Sequence, residues 1–227
     1  MRYVNLLLDA DDTLFDFPKA SARAFSRMCQ LHDIPDTPDV YQLYHQINLE
    51  LWNAFDRGEV TKEFVTLERY VRFFDALHLK RDAAACNQDY LAALGECVYP
   101  LPHAEDVCRT LVSRGHRLYI ITNAVASVQR NRLRGSAFAD LITDAFISED
   151  AGASKPARAY YDYVLARIPG ASAENTLAIG DSLTTDIAGA NNAGLPCCWY
   201  NPRRDPRPQG LHIDYEIQDL RALLDLV

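Results

Sequence analysis

The chain lacks several features that would have fixed its class at once. No apolar run approaches the ~20 residues of a membrane-spanning helix, and the first aspartate, Asp9, comes too soon for a secretory apolar segment. There is no polybasic run either. With 23 basic and 31 acidic side chains the formal charge is −8, so a nucleic-acid polymer is not an expected partner. That balance leaves room for a small anionic substrate, because a bound cation and a few local donors outweigh a modest global charge. The six cysteines, Cys29, Cys86, Cys97, Cys108, Cys197 and Cys198, form no C-x-x-C pair and have no histidine spacing suited to zinc. They read as reduced, mostly buried thiols, and the six histidines form no motif. The expectation is a cytoplasmic protein with no membrane partner.

At 227 residues the chain can form one large domain or a domain carrying a substantial insertion. Short apolar runs recur at Tyr3–Leu8, Leu118–Thr122, Ala145–Ile147, Leu177–Ile179 and Cys197–Tyr200, separated after residue 100 by helical patterns. Strand alternating with helix predicts a parallel α/β sheet, and continuous apolar strands predict one covered on both faces. A helix is expected from near His103 to Gly115, and another from Thr184 to Gly194, with Pro196 blocking continuation. From about 16 to 99 no strand is apparent. Thr37-Pro38 opens a helix expected to run to about Arg57, Thr61 opens the next, and Asp82 to Cys97 forms a further one. Phe64, Leu67, Val71 and Phe74 share one helical face, which predicts that this face packs against its neighbours in a small bundle. The prolines of Tyr200 to Gly210 predict an extended loop. The fold class that follows is α/β, a Rossmann-like parallel sheet core at 1–15 and 100–227 with an inserted all-helical cap domain at 16–99.

The segment Leu6-Leu7-Leu8-Asp9-Ala10-Asp11-Asp12-Thr13-Leu14 sets two carboxylates, two residues apart, at the exit of a buried strand. An unpaired buried carboxylate costs several kcal/mol. Such residues need a cation, a hydrogen-bond network or a chemical task, and positions i and i+2 of a strand point the same way. One reading is a site in which Asp9 and Asp11 converge on a divalent cation; the other is an Asx-type turn whose carboxylates cap backbone amides. Three further segments place polar groups at the same sheet edge, where α/β proteins bind ligands. Thr122-Asn123 follows Tyr119-Ile120-Ile121, Gly180-Asp181-Ser182 follows Leu177-Ala178-Ile179 with Asp186 close behind, and Lys155-Pro156 lies in the loop after Ala145–Ile147. Singly each is an ordinary cap, turn or solvated lysine.

In this order the four segments resemble the motifs of the haloacid dehalogenase superfamily of aspartate-based phosphatases, and the helical insertion resembles its C1-type cap. The resemblance implies that Asp9 is the nucleophile, forming an aspartyl-phosphate, and that Asp11 protonates the leaving oxygen and then deprotonates water. It implies Mg²⁺ held by Asp9, the Asp11 carbonyl and Asp181, with Asp186 and Thr13 behind them. Thr122, the Asn123 amide and Lys155 would hold phosphate oxygens, and the cap would close over the site. Asp12 and Ala124 stand where the superfamily often has glycine. Asp9-Ala10-Asp11-Asp12-Thr13-Leu14-Phe15, Ile147-Ser148-Glu149 and Asn192-Ala193-Gly194-Leu195 resemble a pyrimidine 5′-nucleotidase subgroup, which implies a small phosphorylated metabolite of the nucleotide class. Phe15, Phe17 and Trp52 either stack on a base or pack internally. The alternatives are a phosphatase for a sugar phosphate or a phosphoglycolate-like acid, a haloacid dehalogenase, for which Asp11, Asp181 and Asp186 would be idle, and a catalytically silent binding protein.

Overall fold

Six parallel strands grow from the apolar runs: Asn5–Leu8 (β1), Arg117–Thr122 (β2), Ile142–Ile147 (β3), Thr176–Gly180 (β4), Cys197–Tyr200 (β5) and Tyr215–Ile217 (β6). They lie in the order β3-β2-β1-β4-β5-β6, the doubly wound arrangement. The computed structural model describes residues 2–227, which form two compact units, one of 2–17 with 98–227 and one of 18–97. In register, Leu8 of β1 faces Ile120 of β2 on one side and Ile179 of β4 on the other. Successive residues point to opposite faces, so Leu6, Leu8, Leu118, Ile120, Leu177 and Ile179 share one apolar core while Leu7, Tyr119, Ile121 and Ala178 share the other. Both faces are covered, as the unbroken apolar strands require. The three-residue β6 was not foreseen, since Tyr-Glu-Ile after a proline-rich loop is too short to carry a period.

In the second unit Phe17–Leu31 (α1), Pro38–Asp56 (α2), Lys62–Leu77 (α3) and Ala83–Glu96 (α4) are all helical. Their starts follow local chemistry. Thr37 accepts the Val40 amide ahead of Pro38, Thr61 accepts that of Phe64, and Asp82 accepts those of Ala84 and Ala85. The expected packing face of α3 is wrong. Phe64, Leu67 and Val71 are 42%, 44% and 39% exposed, and Phe74 alone of the four is buried. The inward face is instead Val65, Arg69, Tyr70 and Phe73. Tyr44, Tyr70 and Tyr90 surround the Arg69 guanidinium, which donates to Asn48 and Asn87 at 3.0 and 2.7 Å. The aromatic cluster with its stacked cation, rather than the apolar stripe, sets the rotation of the helix.

In the first unit Ala104–Ser113 (α5) leads to β2, Ala126–Arg134 (α6) follows it, and Ser148–Ala151 (α7) follows β3. Arg158–Leu165 (α8) precedes β4, and a wide π-type turn, Leu183–Ile187, opens Ala188–Ala193 (α9), which ends on left-handed Gly194. All six cysteines are buried and unbridged. No helix among the described residues is long and apolar enough to cross a membrane.

Candidate active site

The strand order reverses between β1 and β4, and a crevice at that switch point is where open α/β sheets take ligands. Asp9 and Asp181 stand just past the carboxyl ends of these two strands. The Asp9 amide continues the ladder, donating to Ile179 at 2.8 Å, and its carboxylate is buried. Lys155 lies under it. The ammonium donates to Asp9 Oδ1 at 2.6 Å, Asp186 Oδ1 at 2.6 Å and the Ile121 carbonyl at 3.1 Å, so all three of its protons are placed. Burial alone would depress the lysine, but the Asp186 and Asp9 charges override it and hold Lys155 well above its ordinary range.

The carboxylates outnumber that cation. One oxygen from each of Asp9, Asp181 and Asp186 lies within 4.8 Å of the others. Burial, the first cause, raises Asp9 well above the usual carboxylate range, against the pull of Lys155. Burial and the charge of Asp186 push Asp181 up to about 7. Asp186 is held by Lys155 and by the Ser182 amide at 3.1 Å, whereas Asp181 receives the Thr13 hydroxyl, at 3.3 Å, and forms no ion pair among the described residues. Trp199 donates its indole N–H to the Asp181 carbonyl at 2.9 Å, steadying the loop from β5. An all-oxygen donor set with surplus negative charge fits a hard divalent cation such as Mg²⁺.

Beside β2, Asn123 is locked to the Lys155 backbone by two bonds, Nδ2 to the carbonyl at 2.9 Å and the Lys155 amide to Oδ1 at 3.0 Å. The side chain thus fixes the lysine loop, leaving the Asn123 amide as the group that can face an anion. The Thr122 hydroxyl accepts the Ala124 amide at 3.1 Å, and the Thr122 amide donates to Tyr160, whose hydroxyl donates to the Phe146 carbonyl at 2.6 Å. The Glu149 carboxylate caps α6 through the Ala126 amide at 3.1 Å. Tyr160 and Trp199 carried no sequence signal, as each lies within an apolar stretch.

The two readings of the first motif divide between its residues. Asp12 is the turn: its φ is +60°, which accounts for glycine being frequent there, and its carboxylate accepts the Phe17 amide at 3.2 Å. Burial, then the Asp11 charge, pushes it up to about 6. Asp11 turns elsewhere, to form an ion pair with Arg132 of α6. Phe15 is fully buried against Phe138 and beneath the Arg132 guanidinium, so it packs internally and does not stack on a base. Phe17 is half-buried, and Trp52 meets Phe55 edge-to-face. Arg203 and Arg204 are exposed.

A model of the haloacid dehalogenase-like hydrolases matches residues 5–194. The chain belongs to the haloacid dehalogenase-like hydrolase family. The chain is 39% identical over 226 residues to the HAD-hydrolase YfnB of Bacillus subtilis, covering 100% of this chain and 96% of YfnB. The crystal structure of YfnB bound to magnesium superposes with a TM-score of 0.93, covering 100% of this chain and 99% of that one. Pyrimidine 5′-nucleotidase PynA of Streptococcus pneumoniae is 32% identical, with 99% of this chain and 95% of PynA aligned. Pyrimidine 5′-nucleotidase YjjG of Escherichia coli is 28% identical, with 100% and 99% aligned.

In this family member Gly180 has a reason to lack a side chain: a Cβ there would overlap the Asp186 carboxyl group, which cannot retreat without leaving Lys155 or Ser182. Gly180→Ala is expected to destabilise the protein by about 1–3 kcal/mol in urea unfolding. An unchanged midpoint would mean that the Asp186 loop reseats without loss.

Proposed function

We propose that this hydrolase is a Mg²⁺-dependent phosphomonoesterase working through an aspartyl-phosphate on Asp9, with nucleoside 5′-monophosphates as its substrate class. The observation that carries the reading is the surplus of carboxylate at the switch point: buried Asp9 and Asp186 share one lysine, and half-buried Asp181 beside them forms no ion pair among the described residues. A dehalogenase needs no cation and no acid for its leaving group, and would hold this charge without use. A phosphatase uses each part. The cation, held by Asp9, Asp181 and the Asp11 carbonyl, would offset charge on the transferring phosphoryl group. Lys155 keeps Asp9 ionised and aimed. The Asn123 amide and the Thr122 hydroxyl would receive non-bridging oxygens. Asp9 attacks phosphorus as the P–O bond to the leaving group breaks, and Asp11 gives that oxygen its proton. Asp11 then takes a proton from the water that releases phosphate and restores Asp9.

The nucleotide class is supported by the relation to two pyrimidine 5′-nucleotidases along nearly the whole chain. The test is phosphate release from nucleoside 5′-monophosphates and sugar phosphates, with Mg²⁺ and with chelator. The expected result is a kcat/KM for pyrimidine nucleotides at least tenfold above any sugar phosphate, about 1.4 kcal/mol of discrimination, lost on chelation. A sugar phosphate as best substrate would overturn the nucleotide class, and no release from any ester would overturn the phosphatase. Cytoplasmic residence is part of the same proposal, and suits six unbridged cysteines.

A further inference from the structure

Arg132 lies on α6, and sequence reasoning gave it no role. It is 0% exposed, yet its Nε and Nη2 have no hydrogen-bond partner. Its Nη1 donates to the Asp11 carboxylate and, at 3.3 Å, to Gln129 Oε1, and its guanidinium carbon sits 4.7 Å from the centre of the Phe15 ring. Gln129 is equally buried, and its Nε2 is also unpaired. Leaving buried donors unmatched costs about 1–3 kcal/mol each, so stability alone is a poor reason for this arginine. Asp11 is its one anionic partner among the described residues, and the contact is to a single oxygen, Oδ1. Oδ2 makes no hydrogen bond among the described residues, and the Asp11 side chain is 24% exposed.

We infer that Arg132 is the positioning residue for the acid and base Asp11, a role that rests on the proposed phosphatase reading. A guanidinium has donors and no acceptor. While it holds Oδ1, that oxygen stays an acceptor, and the transferable proton is confined to Oδ2. In the first step the Asp9–phosphorus bond forms, the P–O bond to the alcohol breaks and the Oδ2 proton moves to the departing oxygen. In the second, water adds to phosphorus, its proton goes to Oδ2 and the bond to Asp9 breaks. Arg132 presents the same oxygen to leaving group and water, clamped by the Phe15 face and by an α6 whose N-terminus Glu149 caps.

The role predicts a dependence on the leaving group. A poor leaving group, the 5′-alkoxide of a nucleoside, needs the Oδ2 proton; p-nitrophenolate does not. In single turnovers with Mg²⁺, Arg132→Met is expected to slow nucleoside release about 100-fold and p-nitrophenolate release less than about 5-fold. In an Asp11→Asn background the same substitution is expected to add nothing to either. Equal losses on both esters, or losses that multiply with Asp11→Asn, would overturn the inference and leave the phosphatase standing. A wild-type protein inert toward both esters would overturn the two together. Should Arg132→Met not fold by circular dichroism, Arg132→Lys carries the test. The same split supports the role, and an unsplit rate, whether full or uniformly reduced, overturns it.

Discussion

Asp9→Asn is expected to abolish phosphate release, a fall of at least about 10⁴-fold, while Asp11→Asn spares one half of the reaction. The asymmetry follows from where the two carboxylates sit. Asp9 is buried on the Lys155 ammonium with Asp186 and Asp181 around it, and burial disfavours its charged form. On the proposed reading the lysine and a bound cation would supply the opposing charge that keeps Asp9 ionised, and an amide at that position has no anion to offer. Asp11 is more exposed and outside the acidic cluster, held by Arg132. On the same reading its loss would remove a proton donor and acceptor, worth about 10²–10⁴-fold toward an unactivated alkyl ester. With p-nitrophenyl phosphate the departing oxygen needs no proton, so Asp11→Asn should still take up a phosphoryl group and then stall. Intact-mass spectrometry would read this as one added phosphoryl group on Asp11→Asn and none on Asp9→Asn. Sustained turnover by Asp9→Asn would remove Asp9 from the chemistry, and wild-type hydrolysis of a nucleotide by Asp11→Asn would remove its acid role.

The sheet was legible because each strand is a short apolar run ended by a turn residue, and the candidate site because its members stand at the ends of those strands. Asp9, Thr122 and Asp181 are placed by the backbone, and periodicity finds the backbone. Lys155 and Asp186 were reached as loop residues, but their shared ion pairs depend on how far two loops fold inward, which no spacing encodes. The packing face of α3 was misjudged because a count of apolar positions does not register that Arg69 is buried among three tyrosines. Arg132 escaped for the same reason. An arginine on a short helix rich in polar residues reads as solvated, and its partner lies 121 positions away. In both cases the missing information is a buried cation whose compensation comes from elsewhere in the chain.

The protein without a divalent cation is expected to lose stability as pH rises from about 4 to about 7, and Mg²⁺ is expected to restore more of it the higher the pH. Burial and Asp186 push the Asp181 carboxyl up to about 7 in the folded protein, against about 3.9 for an exposed aspartate. Between those values the folded state holds a proton that the unfolded state has released, so stability falls with rising pH through this window. Asp12, pushed up to about 6, adds a narrower window of the same sign, and Asp9 shifts in the same direction. A divalent cation competes with these protons, so its binding weakens toward pH 5 and strengthens toward pH 8. At a hundredfold excess over its Kd it adds about 2.7 kcal/mol, which for a chain of this size is a Tm rise of roughly 5–10 °C. Asp181→Asn should raise the Tm of the metal-free protein at pH 8, because it removes a half-buried charge that forms no ion pair among the described residues, and should erase most of the Mg²⁺ response. Thermal melts at pH 5 and pH 8, with Mg²⁺ and with chelator, measure all of this. A Mg²⁺ shift indifferent to pH, or one that survives Asp181→Asn intact, would place the cation away from the carboxylates of β1 and β4.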